Sequence, residues 1–156
     1  MEKNKNIFIS HFGKDDAHIA KLKDLLKQKD YTLRNSSIDS SKPNDAKNSE
    51  YIKSLLRKGI EWAGTTIVLI GSKTHTRWWV DYEIEQSQRM GNRIVGVYLP
   101  GETESQIPDS FEKYADALVG WNSDRIIDAI EGGCNNFENP DGTPRDSKWH
   151  TPKVVC

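Results

Sequence analysis

With 156 residues, the chain is long enough to bury one core and too short for two full domains. A composition of 35% hydrophobic and 29% charged residues is polar but globular, which excludes a wholly disordered chain. The 22 basic and 23 acidic residues leave a net charge of -1, so no bulk attraction draws the chain to nucleic acid or to an anionic membrane.

No apolar leader follows the opening MEKNKN, and the run Ile67 to Ile70 is far too short to span a bilayer. A cytoplasmic protein with no membrane partner is expected. The two cysteines, Cys134 and Cys156, suggest neither a disulfide framework nor a four-ligand zinc site, so free thiols are the expectation.

In chain order, Ile7-Phe8-Ile9 running into Ser10-His11-Phe12-Gly13 predicts a first strand over 6–10. Asp15 or Asp16 then caps a helix in which Ile19, Leu22, Leu25 and Leu26 recur at helical spacing. A short strand is expected at 31–33. A long polar loop follows it, carrying Asn35, Ser36, Ser37 and Asp39, and loops of that length are often functional. The next helix carries Ile52, Leu55, Leu56, Ile60 and Ala63 and is stopped by Gly64.

Thr65 to Ile70 is a β-branched run bounded by glycines, the pattern of a strand buried on both faces of a parallel sheet. A helix over 78–90, strands at 93–98 and 117–119, and a closing helix over 124–130 complete the alternation. The whole pattern predicts an α/β fold, with a parallel sheet covered by helices on both faces. Ligands in such sheets collect beyond the carboxyl ends of the strands, where the strand order reverses. The loops at 10–13, 34–47 and 71–78 gather there. Residues 1–132 make up the domain, and 133–156 form an extension expected to pack on it through Phe137, Trp149 or Val154-Val155.

The chemistry concentrates in Trp78-Trp79-Val80-Asp81-Tyr82-Glu83-Ile84-Glu85. A spacing of four puts Trp79 and Glu83 on one helix face near the strand ends. A carboxylate against an aromatic wall is partly desolvated, which raises its pKa and focuses its field on a bound cation. Cleavage of an N-glycosidic bond passes through an oxocarbenium-like sugar that such a group can stabilise. The plain alternative makes Trp79 core and Glu83 a solvated acid that suits the helix dipole. Ser10, His11, Phe12 and Gly13 are expected to form the floor of the pocket, with Phe12 offering a stacking surface. His11 can titrate near neutrality or lie on the surface without a role.

Three stretches, Ile7-Phe-Ile-Ser-His-Phe-Gly-Lys-Asp-Asp16, Ile67-Val-Leu-Ile-Gly-Ser72 and Trp79-Val-Asp-Tyr-Glu-Ile84, resemble TIR domains, and more narrowly the ThsB-like proteins of bacterial Thoeris antiphage systems. The resemblance covers residues 6 to 130. It implies a flavodoxin-like, five-stranded parallel sheet and places the catalytic glutamate at Glu83, with Glu85 the nearest competitor. The implied activity is cleavage of NAD+, releasing nicotinamide and making a cyclic or conjugated ADP-ribose signal nucleotide read by a downstream effector. The resemblance also implies nucleotide contacts or self-association at Asn35, Ser36, Ser37 and Asp39, a phage-derived activator, and no metal or cofactor beyond NAD+ as substrate. The tandem Trp78-Trp79 and the valine at Val80 depart from the common pattern without removing the carboxylate.

A non-catalytic TIR adaptor is the competing reading, because fold does not fix function. A phosphoacceptor receiver domain shares the architecture and fits Asp15-Asp16, but the third strand ends Gly71-Ser72 with no aspartate.

Overall fold

The computed structural model of the chain describes residues 3–11, 17–35, 49–71, 78–102 and 107–145. Five strands and five helices alternate: β1 (Lys3–Ser10), α1 (Ala17–Lys27), β2 (Tyr31–Asn35), α2 (Ser49–Ala63), β3 (Thr65–Ile70), α3 (Trp78–Arg89), β4 (Arg93–Tyr98), α4 (Asp109–Tyr114), β5 (Ala117–Val119) and α5 (Ser123–Glu131). All neighbouring strands pair in parallel, in the order β2-β1-β3-β4-β5. This is the flavodoxin-like order, and the chain changes direction across the sheet between β1 and β3.

Side chains of period 2 divide each strand between two cores. Ile7 and Ile9 of β1, Ile67 and Leu69 of β3, and Val95 and Val97 of β4 pack against Leu22 and Leu26 of α1 and Ile126 and Ala129 of α5. On the other face, Val68, Ile70, Ile94 and Leu118 meet Val80 and Ile84 of α3 and Phe111 of α4. Phe8 meets Leu56 and Ile60 of α2. Every residue of β3 is buried, as a central strand covered on both faces requires.

Gly64, at φ 77, ends α2 in the left-handed region that a side chain disfavours. Gly96 serves a different purpose: a Cβ there would lie 2.3 Å from Phe111 Cζ and 2.8 Å from Leu118 Cδ1. The absent side chain lets α4 sit directly on β4. Gly96→Ala is therefore expected to destabilise the domain by roughly 1–3 kcal/mol through overpacking. A urea midpoint equal to that of the wild type would refute this close approach.

Helix α4 is absent from the sequence-based expectation. Six residues give only one turn and a half, too few for a helical period to register, and the helix is held by Phe111 in the core. Beyond α5, the backbone returns to the sheet. Leu118 N–H donates to Asn136 O at 3.1 Å, Glu138 N–H donates to Leu118 O at 2.8 Å, and Phe137 forms a parallel bridge to Leu118. The Phe137 ring lies 5.6 Å from that of Phe111. Arg125 pairs with Glu138, and Arg145 pairs with the buried Glu112. Residues 134–138 thus cover the β5 edge, which would otherwise expose unpaired backbone groups. Trp149, Val154 and Val155 lie outside the described residues.

The expectation of free thiols is corrected at Cys134, which is disulfide-bonded and buried. The only other cysteine in the sequence, Cys156, lies outside the described residues. Spacing along the chain does not report which thiols the fold brings together, and that is why composition misled here.

Candidate active site

The site is built where β1 ends under the first turns of α3. Even-numbered residues of β1 face α2 and α3, so Ser10 points the same way as Phe8. On α3, Trp79, Glu83 and Ser87 recur every four residues and form one stripe turned toward β1 and β3. Two periodicities, 2 and 3.6, therefore bring Ser10 and Glu83 together across 73 positions of sequence. The Ser10 hydroxyl donates to Glu83 Oε1 at 2.6 Å.

Glu83 is 2% exposed. Burial penalises the charged carboxylate and pushes its pKa up to about 8, with the Ser10 hydrogen bond opposing the rise. The solvated-acid alternative for Glu83 is overturned by this burial. Glu85, two residues on, is exposed and lines a groove with Asp81 and the α4 residues Asp109, Ser110, Lys113 and Tyr114. Asp81 is tied to the same helix, accepting from the Ser110 hydroxyl at 2.6 Å. Asp81 and Glu85 thus share one groove, and of the three acids of α3 only Glu83 faces the end of β1.

Trp79 is half-buried, and its indole N–H donates to the His11 carbonyl at 3.1 Å. It anchors the start of α3 to the residue that follows β1. His11 is buried at 6% exposure, so the surface alternative for it fails. Asn35 ends β2 in register with Ile7, on the strand beside β1, though its side chain lies outside the described residues. Phe12, Gly13, Ser36, Ser37 and Asp39 lie wholly outside the described residues. Among the sequence-derived site residues, the structure therefore joins Ser10, His11, Trp79 and Glu83.

A match to the family described as Thoeris protein ThsB, TIR-like domain, runs over residues 8–104, well over half of the chain, and includes all four of these residues. The chain belongs to this family. The ThsB match ends before α4 and β5.

One curated relative, from Bacillus cereus (strain MSX-D12), carries the name "Putative cyclic ADP-D-ribose synthase ThsB1" and is 38% identical over 82 residues. That alignment takes in 47% of this ThsB-type chain and 43% of the relative, so the chain spans less than half the length of the protein it matches. Among solved structures, the chain is similar to the TIR domains of the activated Roq1 resistosome, with 18% identity, 64% of this chain and 60% of that one covered, and a TM-score of 0.45. It is also similar to the Clostridium botulinum CMP N-glycosidase BcmB, with 13% identity, 83% and 100% coverage, and a TM-score of 0.49. Both are partial likenesses of fold.

Two residues beside Glu83 escaped the sequence reading. The Ser87 hydroxyl donates to the Glu83 carbonyl at 2.7 Å and shares a 2.6 Å hydrogen bond with the Thr66 hydroxyl of β3. Both are fully buried. This polar link fixes α3 on the sheet one turn below the carboxyl group, and the signal for it was the repeat of four from Trp79 through Glu83 to Ser87. Among the described residues, no cluster of His, Cys, Asp and Glu is arranged to hold a metal ion, and no helix is long and apolar enough to cross a membrane.

Proposed function

We propose that this chain is an NAD+-cleaving enzyme of antiphage defence, releasing nicotinamide and making a cyclic or conjugated ADP-ribose signal for a separate effector. The observation that carries the reading is the buried Glu83 carboxyl, hydrogen-bonded to Ser10 at the carboxyl end of β1, where parallel α/β sheets bind ligands. The name of the Bacillus cereus relative supports the product class.

Before substrate binds, at neutral pH, the carboxyl holds its proton, because burial disfavours the anion. A cationic nicotinamide ribosyl group beside it reverses that preference, and the proton passes to solvent as substrate binds. The resulting carboxylate keeps the Ser10 hydroxyl as donor and faces the ribose. As the glycosidic C–N bond breaks, its electron pair leaves with the nicotinamide nitrogen and neutralises the pyridinium. Positive charge develops on the ribosyl carbon, where a fixed carboxylate lowers the barrier. Water captures that carbon in hydrolysis. A nucleophile on the same molecule gives a cyclic product, and one on a second molecule gives a conjugate.

The test is purified protein with NAD+, read by chromatography for nicotinamide and by mass spectrometry for the nucleotide. Failure to turn over at high protein concentration, and again in lysate of infected cells, defeats the proposal. Ser10 provides a second handle. Its hydrogen bond favours the ionised form of Glu83, so Ser10→Ala is expected to raise the pH at which the carboxyl ionises. The rising limb of kcat/KM against pH then moves to higher pH, with a several-fold loss at pH 7 that is partly recovered at pH 9. An unshifted profile removes Ser10 from the ionisation of Glu83.

A further inference from the structure

A well-formed concavity lies away from Glu83. It has a volume of about 620 Å³ and opens at the other edge of the sheet, between the β5–α5 loop and the returning segment 136–144. That volume is of the size of small-molecule sites. At Gly120 a Cβ would lie 2.7 Å from the Pro140 carbonyl oxygen, so the two walls meet in backbone contact there.

Its lining has a definite chemistry. Trp121 supplies a flat apolar wall, with its ring held edge-on by His18 of α1 at a centroid distance of 6.3 Å. Phe137 and Pro140 add further apolar surface. Arg125 and Glu138, paired with each other, present a donor and an acceptor side by side. Asn136, also in the lining, has its side-chain Oδ1 buried with no hydrogen-bond partner among the described residues. A buried acceptor left in this state is costly, and a ligand N–H would satisfy it.

Charge narrows the class of ligand. Arg125 is neutralised by Glu138, the first turn of α5 carries Asp124, and Asp141 stands in the lining. The Arg125 N–H at the start of α5 is already capped by Asn122 Oδ1 at 3.1 Å. A phosphate would meet an acidic rim and a helix end whose cap is in place, whereas an uncharged ring with an amino group meets a stacking wall and an unsatisfied acceptor.

We propose that this cavity is a second binding site, separate from the Glu83 site, for an uncharged planar heterocycle bearing an amino or amide donor, of the nucleoside class. The flat face lies on Trp121, and the donor reaches Asn136 Oδ1.

Isothermal titration with adenosine, and with AMP as the anionic counterpart, tests this on the full chain and on its Glu83→Gln variant. Adenosine is expected to bind at sub-millimolar concentration and equally well to both proteins, with AMP weaker by about 5-fold or more. Trp121→Ala weakens adenosine by roughly 10-fold or more, the usual effect of losing one base-stacking ring. Asn136→Ala, which removes a side-chain acceptor that has no partner among the described residues, weakens it by about 5-fold. The proposal is overturned by absence of heat at millimolar adenosine, by equal binding of AMP, or by binding that Asn136→Ala leaves unchanged. Loss of binding in Glu83→Gln alone would assign the ligand to the other site. Because binding here requires no turnover, an inactive protein that still binds adenosine separates this proposal from the catalytic one.

Discussion

Glu83→Gln is expected to lose NAD+ cleavage and to gain stability, and the gain should depend on pH. Glutamine keeps the shape and can still accept from Ser10, but it cannot become an anion facing the ribosyl cation. Removal of one such electrostatic group costs on the order of 100-fold or more in kcat.

The stability change follows from linkage. In the folded protein the Glu83 carboxyl is held at about 8, against an ordinary value of 4.5. Between those two values the unfolded chain has released its proton while the native state retains it, so the native state binds more protons. Wild-type stability therefore declines as pH rises from about 4.5 to about 8 and levels off above. Glutamine has no such dependence. By pH 7 the difference reaches on the order of 3 kcal/mol, which for a domain of this size raises Tm by roughly 6–12 °C. At pH 5 the two proteins should melt close together. Differential scanning calorimetry at pH 5 and pH 7.5 reads this directly. A variant that melts at or below the wild type at pH 7.5 would show that burial does not hold the carboxyl neutral. An adaptor, by contrast, would keep its protection against phage after this substitution.

The second large effect is expected at Arg145→Met. Arg145 is paired with Glu112 of α4, which is 2% exposed, and joins the returning C-terminal segment to the domain. Withdrawing the guanidinium from a buried carboxylate costs about 3 kcal/mol, or roughly 6–12 °C in Tm. The neighbouring Tyr98 hydroxyl is pushed up to about 12, first by burial, with Arg145 opposing and Glu112 adding to the rise. The double variant Glu112→Gln/Arg145→Met should recover much of the loss, because no buried charge then lacks its counterion. If the double variant is as unstable as the single one, the effect comes from packing rather than from the ion pair. Either result measures how far residues beyond 132 belong to the folding unit.

The sequence by itself determined the alternation of strands and helices, since β1, β3 and β4 are short apolar runs bounded by polar or glycine residues and α1 and α2 carry clear helical periodicity. It also determined the stripe of Trp79 and Glu83, because helical geometry places residues four apart on one face wherever the helix sits. Helix α4 was not legible, for a turn and a half carries no period. Nor was the bridge of Phe137 to Leu118, which joins a glycine- and proline-bearing segment to a sheet edge by backbone groups that every sequence shares.

The tertiary structure alone decided which acid is buried. Asp81, Glu83 and Glu85 have similar intrinsic chemistry and lie within five residues. What separates them is the surface each meets: the Ser110 hydroxyl for Asp81, solvent for Glu85, and the end of β1 for Glu83. Desolvation depends on every atom nearby, most of them distant in sequence, so the shift in Glu83 has no local signature. The pairing of Ser10 with Glu83, the Thr66–Ser87 link and the cavity between Trp121 and Asn136 have the same origin. Each requires two surfaces to be brought together, and that placement is fixed by the packing of helices on a sheet rather than by residue order.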